Sequence, residues 1–239
     1  MTNITIYDFL GKKYERSDNL DDHKKQFLYD LVLQDVPIDF LMQFVFDRLP
    51  AAYKEARKIS NASFAAPEAK VILPYNRRAK AEEYFRMTAK SYSEMNVTIE
   101  KNFAKNNSFT QIRSGRIVMT ISAVNTPREL VGGARFRETL AQDPNVQYDL
   151  FIPVSEQQVP PPTGDAYYAI FLHSKVSEKD DNYYFAQLAF PSKDCKRYVA
   201  NINLFTFLHL HGSGFKPSVE EKIEDKSVPT LKQKKEKKI

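Results

Sequence analysis

Apolar side chains recur at helical spacing near the start of the chain and at strand spacing further on, and this change of period divides the sequence into two parts. Phe27, Leu28, Leu31 and Val32 fall at i, i+1, i+4 and i+5, one face of an amphipathic helix that Asp21 or Asp22 is placed to cap. Pro37 suits the first turn of a second helix, where its missing N–H is not needed, and Phe40, Leu41, Phe44, Val45 and Leu49 repeat the spacing. Pro50 is expected to end or kink that helix, with a further helical piece over 51–59. The stripes read as a helical layer whose Phe and Leu side chains enter a core.

Residues 60–74 contain Asn61, Pro67 and Pro74 with little periodicity, which predicts a connection with a short strand over 70–73. Asn76 is expected to cap a helix reaching about Tyr92, with Ala81, Tyr84, Phe85, Thr88 and Tyr92 facing inward. Arg78, Glu82, Arg86 and Lys90 follow at spacings of four on its other side, where ion pairs would support the helix. From Val97 the period becomes two. Residues 109–124 give the clearest hairpin pattern: Ser114-Gly115 separates two alternating runs, and a bulged type I turn with Gly115 in the left-handed region is expected. Arg113 and Arg116 would flank its tip.

Asn125-Thr126-Pro127 breaks the second strand, Gly132-Gly133 gives a flexible joint, and Ala134–Ala141 reads as a short helix. Residues 148–154 predict a strand, and 157–164, with three consecutive prolines, an extended loop. The runs 166–176 and 182–190 are apolar at nearly every position, which places them mid-sheet with both faces covered. Residues 192–198 suit a helical turn, and 198–210 form an apolar element of either type. The fold these patterns imply is α+β: N-terminal helices packed on a mixed or antiparallel sheet of about five to seven strands. It would occupy 1–212 as one domain, 1–59 helical and 60–212 sheet-containing, followed by a flexible tail over 213–239 with a basic end.

Composition sharpens this picture at a few points. The chain's 239 residues are enough to bury about 70 % of the unfolded surface, and 13 Tyr and 17 Phe with no Trp predict a core of phenyl rings. The single cysteine excludes an internal disulfide. No apolar run approaches the roughly 20 residues needed to cross a bilayer. Asp8 interrupts the stretch a signal peptide would need, so a soluble cytoplasmic protein with no membrane partner is expected.

Charge changes the picture most. Residues 52–137 hold sixteen Lys or Arg against seven Glu, a local +9, whereas 1–51 carry −3 and 138–230 carry −5. Dense cationic side chains most simply match phosphate, so the leading expectation is nucleic-acid binding through Arg77, Arg78, Arg86, Arg113 and Arg116. Tyr75, Tyr84, Tyr92, Phe103 and Phe109 are candidates for base stacking.

A second expectation is a metal-dependent nuclease, in which Asp149, Asp165 and Lys175, with Glu82 or Glu83, would hold Mg²⁺ and orient water. A Glu-x-Lys pair is missing from the corresponding strand, where Gln187 stands nearest. A third is a non-enzymatic module whose basic middle meets an acidic protein. His209 and His211 would share a face on a strand and could join His173 at a transition metal, though no known ligand pattern surrounds them. Lys193, Lys196 and Arg197 near Cys195 favour its thiolate. None of the seven glycines lies in a phosphate-loop pattern, so no nucleotide cofactor is expected, and Mg²⁺ belongs only to the nuclease alternative.

Overall fold

A computed structural model describes residues 22–102, 104–105, 108–142, 166–174 and 183–212. The elements in order are α1 (Asp22–Asp35), α2 (Ile38–Gln43), a π-helical turn (Phe44–Arg48), α3 (Leu49–Ser63), α4 (Ala66–Ala89), β1 (Met95–Lys101), β2 (Ser108–Ser114) and β3 (Ile117–Val124). They continue with α5 (Arg135–Gln142), β4 (Tyr167–Ser174), β5 (Ala186–Pro191), β6 (Tyr198–Asn203) and α6 (Leu204–His211). The strand expected at 148–154, the proline loop and the tail lie outside the described residues.

The apolar stripes of the first helices point where their spacing required. Leu28, Leu31, Val32, Phe40, Leu41, Phe44, Val45 and Leu49 are all buried. Phe44 packs edge-on to Phe85 and to Phe171, 5.0 Å between centroids in each case, so one aromatic cluster joins the π turn, α4 and the middle of the sheet. Edge-to-face geometry of this kind adds roughly 1 kcal/mol per pair beyond the area buried.

Pro50 does not end its helix. Helical structure runs from α2 into α3 through a five-residue π turn just before the proline, closed by Leu49 N–H bonding to Phe44 O. The connection and strand expected over 60–74 are instead helical: α4 begins at Ala66 with Pro67 in its first turn and carries Pro74 inside it. Asn76 is therefore not a cap. It lies mid-helix and donates from its amide to Ser60 Oγ at 2.9 Å, tying α4 to α3. Glu55 completes the clamp, accepting from Tyr84 Oη at 2.5 Å and pairing with Lys80 Nζ at 2.7 Å.

The six strands pair in chain order in one mixed sheet, antiparallel throughout except for the parallel contact between β3 and β4. Antiparallel neighbours need only short loops, whereas the parallel pair needs a crossover, which here includes α5. Every residue of β4 and of β5 is buried, as their unbroken apolar runs implied. Odd-numbered positions such as Met119, Tyr167, Ala169 and Phe171 join the core beneath the helices. Even-numbered Val118, Tyr168, Ile170 and Leu172 pack on the opposite face with Ala141 of α5.

The β2–β3 loop sits one residue later than expected. Ser114 pairs with Ile117, so Gly115 and Arg116 are the central residues, and only Gly115 has positive φ, +53°. That sign pattern is the one of a type II′ turn with glycine first, not of a bulged type I turn. Residues 193–197 form a turn and not a helix, and the ambiguous element that follows divides into β6 and α6, with Asn203 capping α6 by accepting from Thr206 N–H at 3.2 Å.

Candidate functional site

The parallel pair β3–β4 ends at Val124 and Ser174, and beyond those ends lies a cavity of about 970 Å³. Four walls bound it: α4, the residues Asn102, Ala104, Ser108 and Phe109 where β1 passes into β2, the C-terminal half of β3, and the stretch 129–137 that leads into α5. A crevice outside the carboxyl ends of parallel strands is where the connecting chain must leave the sheet, and ligand sites recur there for that reason.

The outer wall is fixed by side chains from strands remote in sequence. Gln187 of β5 donates to Pro127 O at 2.6 Å. Tyr198 of β6 accepts from Val131 N–H at 3.0 Å and donates to Glu129 O at 3.2 Å. Glu129 in turn receives Asn125 N–H and the Asn125 amide, at 2.5 and 3.0 Å. Gln187, the residue nearest to a nuclease carboxylate in the sequence, is thus a brace for the cavity wall.

The floor is a buried polar pair. Tyr53 Oη and His173 Nδ1 are 2.5 Å apart, Tyr53 Oη also donates to Ser174 O at 3.2 Å, and both side chains are only 2 % exposed. Burial holds His173 down at about 4, with the Ser174 backbone opposing slightly, so the imidazole is neutral at pH 7. Burial raises the Tyr53 phenol out of the titratable range, although Arg77 pulls the other way. The guanidinium of Arg77 lies 5.6 Å from the Tyr53 ring centroid and is itself buried.

The described lining of the cavity is rich in cations. Arg77, Arg78, Arg135 and Arg137 line it, against Glu82 and Glu129, a net +2. Glu129 is engaged by Asn125, and Glu82 accepts Thr110 N–H at 2.5 Å from the neighbouring strand β2. Glu82 therefore does not form the expected ion pairs with Arg78 and Arg86 along α4. Among the described residues no carboxylate reaches Arg78 or Arg137. Arg137 meets only neutral groups: Gly132 O at 3.0 Å, Ser122 Oγ at 3.4 Å and the face of Phe136 at 4.8 Å. Its Nε is buried without a hydrogen bond. Burial lowers the proton affinity of this guanidinium, and the nearby Arg78 cation lowers it further, while Tyr168 offsets part of the effect. Like charges are being held near one another at a desolvated position, which costs stability unless an anion compensates.

Of the five arginines expected to act together, only Arg77 and Arg78 line this cavity. Arg86 is eight residues further along α4, roughly 12 Å away at the helical rise. Arg113, near the end of β2, and Arg116, in the turn, stand towards the opposite end of β3, Arg116 roughly 26 Å from Val124 at strand rise. Arg116 is bound to Asp35 of α1, Nε to Oδ2 at 2.8 Å and backbone N–H to the same oxygen at 2.9 Å, which raises the guanidinium pKa. No local pattern in the sequence marks Arg135 and Arg137, which join Arg77 and Arg78 in the cavity lining only in the folded chain.

Asp149, Asp165 and Lys175 lie outside the described residues. The residues flanking the last two, Ala166 and Ser174, stand at opposite ends of β4. Among the described residues no three His, Cys, Asp or Glu gather in a metal-binding arrangement. The histidine grouping is corrected by the fold: His209 and His211 are exposed on α6, a helix rather than a strand, and His173 is sealed against Tyr53. Cys195 is corrected too, since burial, with Glu138, pushes its thiol up to about 11 against the opposing pull of Arg137. No described helix is long and apolar enough to cross a membrane. Compared with known protein families, with curated proteins and with solved structures, the chain matches none. The chemistry of the cavity is what speaks for its use.

Proposed function

We propose that the protein binds single-stranded nucleic acid, with the arginine-lined cavity as its contact site. The observation that carries this reading is the pair Arg78 and Arg137, drawn together from α4 and α5 with no carboxylate among the described residues on either. Guanidinium groups offer forked donors that match phosphate oxygens, and an incoming phosphate would relieve the repulsion they now bear. The cavity volume lies in the range of pockets that hold one small ligand, so a duplex does not fit and one nucleotide of a strand does. Phe109 and Phe136 stand in the cavity lining stacked on each other at 3.8 Å and 18°, with Arg137 over Phe136, so the outer face of Phe109 is the surface left for a base to stack on.

Fluorescence anisotropy with labelled single-stranded and duplex oligonucleotides tests the reading. Single strands are expected to bind more tightly than duplex, and neutralising three phosphates would give a slope of log K against log salt of about −2. Arg78→Ala and Arg137→Ala should each weaken binding about 10-fold or more, the scale of one lost charged hydrogen bond. Arg113→Ala, at the far end of the sheet, should bind like the wild type. Binding that is insensitive to salt, or lost equally on Arg113→Ala, rejects the cavity as the site.

A further inference from the structure

A strand with one nucleotide in the cavity continues outside it, and the outer face of α4 lies next to the cavity. We infer that Tyr75 on that face is a second stacking platform, an inference that rests on the nucleic-acid reading above. The strand crosses α4 with one base on Phe109, the next on Tyr75, and the phosphate between them on Arg78. Tyr75 is 70 % exposed, the most exposed of the large hydrophobic side chains among the described residues. A ring so placed keeps a face open to water, and every base has a π-face to lay on it.

Helix geometry sets the ring beside the cavity. Pro74, Arg78 and Glu82 of α4 line it. Tyr75 precedes Arg78 by three residues, which at 3.6 residues per turn puts the two side chains about 60° apart on adjoining turns, with Cβ atoms roughly 5–6 Å apart. Val71, 66 % exposed, lies one turn further back on the same stripe. Phe109 stands at the other end of this path. Its neighbour Thr110 donates its N–H to Glu82 Oε1 at 2.5 Å, so β2 meets α4 at the turn that follows Arg78. From Glu82 back to Tyr75 is roughly 10 Å along the axis at the helical rise. The order along α4 is therefore ring, cation, ring. Sites for single strands use that alternation, a cationic track for the backbone and rings for successive bases. Arg78 also speaks against an apolar protein surface as the occupant. Such a partner would cover the guanidinium, which no carboxylate among the described residues reaches, without a counter-charge, and that costs stability.

The test is fluorescence anisotropy at low salt on the intact chain with two labelled ligands, a 12-nucleotide single strand and an abasic sugar-phosphate strand of equal length. Tyr75→Ala should weaken the base-bearing strand about fivefold or more, the scale of one lost stack, and leave the abasic strand unchanged. Tyr75→Phe keeps the ring and should restore binding to within about twofold of the wild type. The slope of log K against log salt should stay the same in Tyr75→Ala, which removes no charge, whereas Arg78→Ala should make it shallower by about 0.7. A Tyr75→Ala protein that binds the base-bearing strand like the wild type overturns the second platform while leaving nucleic-acid binding in place. Equal weakening of the two strands overturns stacking as the role of the ring. Failure of the wild type to bind the base-bearing strand overturns both this inference and the nucleic-acid reading. A dimer in sedimentation that Tyr75→Ala dissociates gives the stripe to a second copy of the chain and overturns the inference as well.

Discussion

Acid should loosen the floor of the cavity through one side chain. His173 has an ordinary value of 6.5 and a folded value of about 4, because burial disfavours the imidazolium and no carboxylate among the described residues offsets it. The folded value is depressed, so the unfolded chain takes up its proton first as pH falls. Stability from the neutral imidazole is complete above pH 6.5 and is lost as pH falls from there towards 4. Proton linkage with these two values gives a loss of about 2 kcal/mol between pH 8 and pH 5, rising to about 3 kcal/mol at pH 4. Carboxylates also titrate below pH 5, so the measurement is a difference. Urea denaturation of the wild type and of His173→Asn, which has no titrating group and keeps an amide near the Nδ1 position, should be run at pH 8, 6.5 and 5. The stability gap between the two proteins should close by about 2 kcal/mol over that range. Curves that fall in parallel would show that His173 is not held neutral by its surroundings, and the account of the buried pair would be wrong.

Other substitutions probe the remaining contacts. Gly115→Ala places a Cβ at φ +53°, 2.7 Å from Asp35 Cγ, and Asp35 is held by Arg116; a loss of roughly 2–4 kcal/mol in denaturant unfolding is expected. Tyr53→Phe leaves His173 Nδ1 and Ser174 O without the hydroxyl, and should lower stability by roughly 1–3 kcal/mol with the fold retained by circular dichroism. Glu55→Gln weakens the α3–α4 clamp at a partly exposed position, so less than about 1 kcal/mol is expected from thermal melts. Burial raises the Glu55 carboxyl, but Lys80 and Tyr84 outweigh it and hold the group below its usual value. The clamp is therefore present above the ordinary carboxylate range and lost as pH falls through the depressed value, a loss that Glu55→Gln should abolish.

Periodicity is a local property, and what it determines could be read directly. The burial of Phe40, Leu41 and Phe44, the β3 strand after Gly115, and the double-sided burial of β4 and β5 all follow from which neighbours along the chain are apolar. Helix interruption was less legible, since Pro50 and Pro74 signal a break in isolation while a π turn and packing against α3 keep the helices going. The site was the least legible part. A local charge of +9 shows that cations are plentiful, but not which of them are already matched. Arg116 is taken up by Asp35 from α1, and Glu82 is drawn away from Arg78 by Thr110 of β2. Arg78 and Arg137 come together because α5 follows β3 at its C-terminal end, where α4 also lines the cavity. Composition sets how many charges a chain owns; the pairing of strands decides which of them are left without a partner.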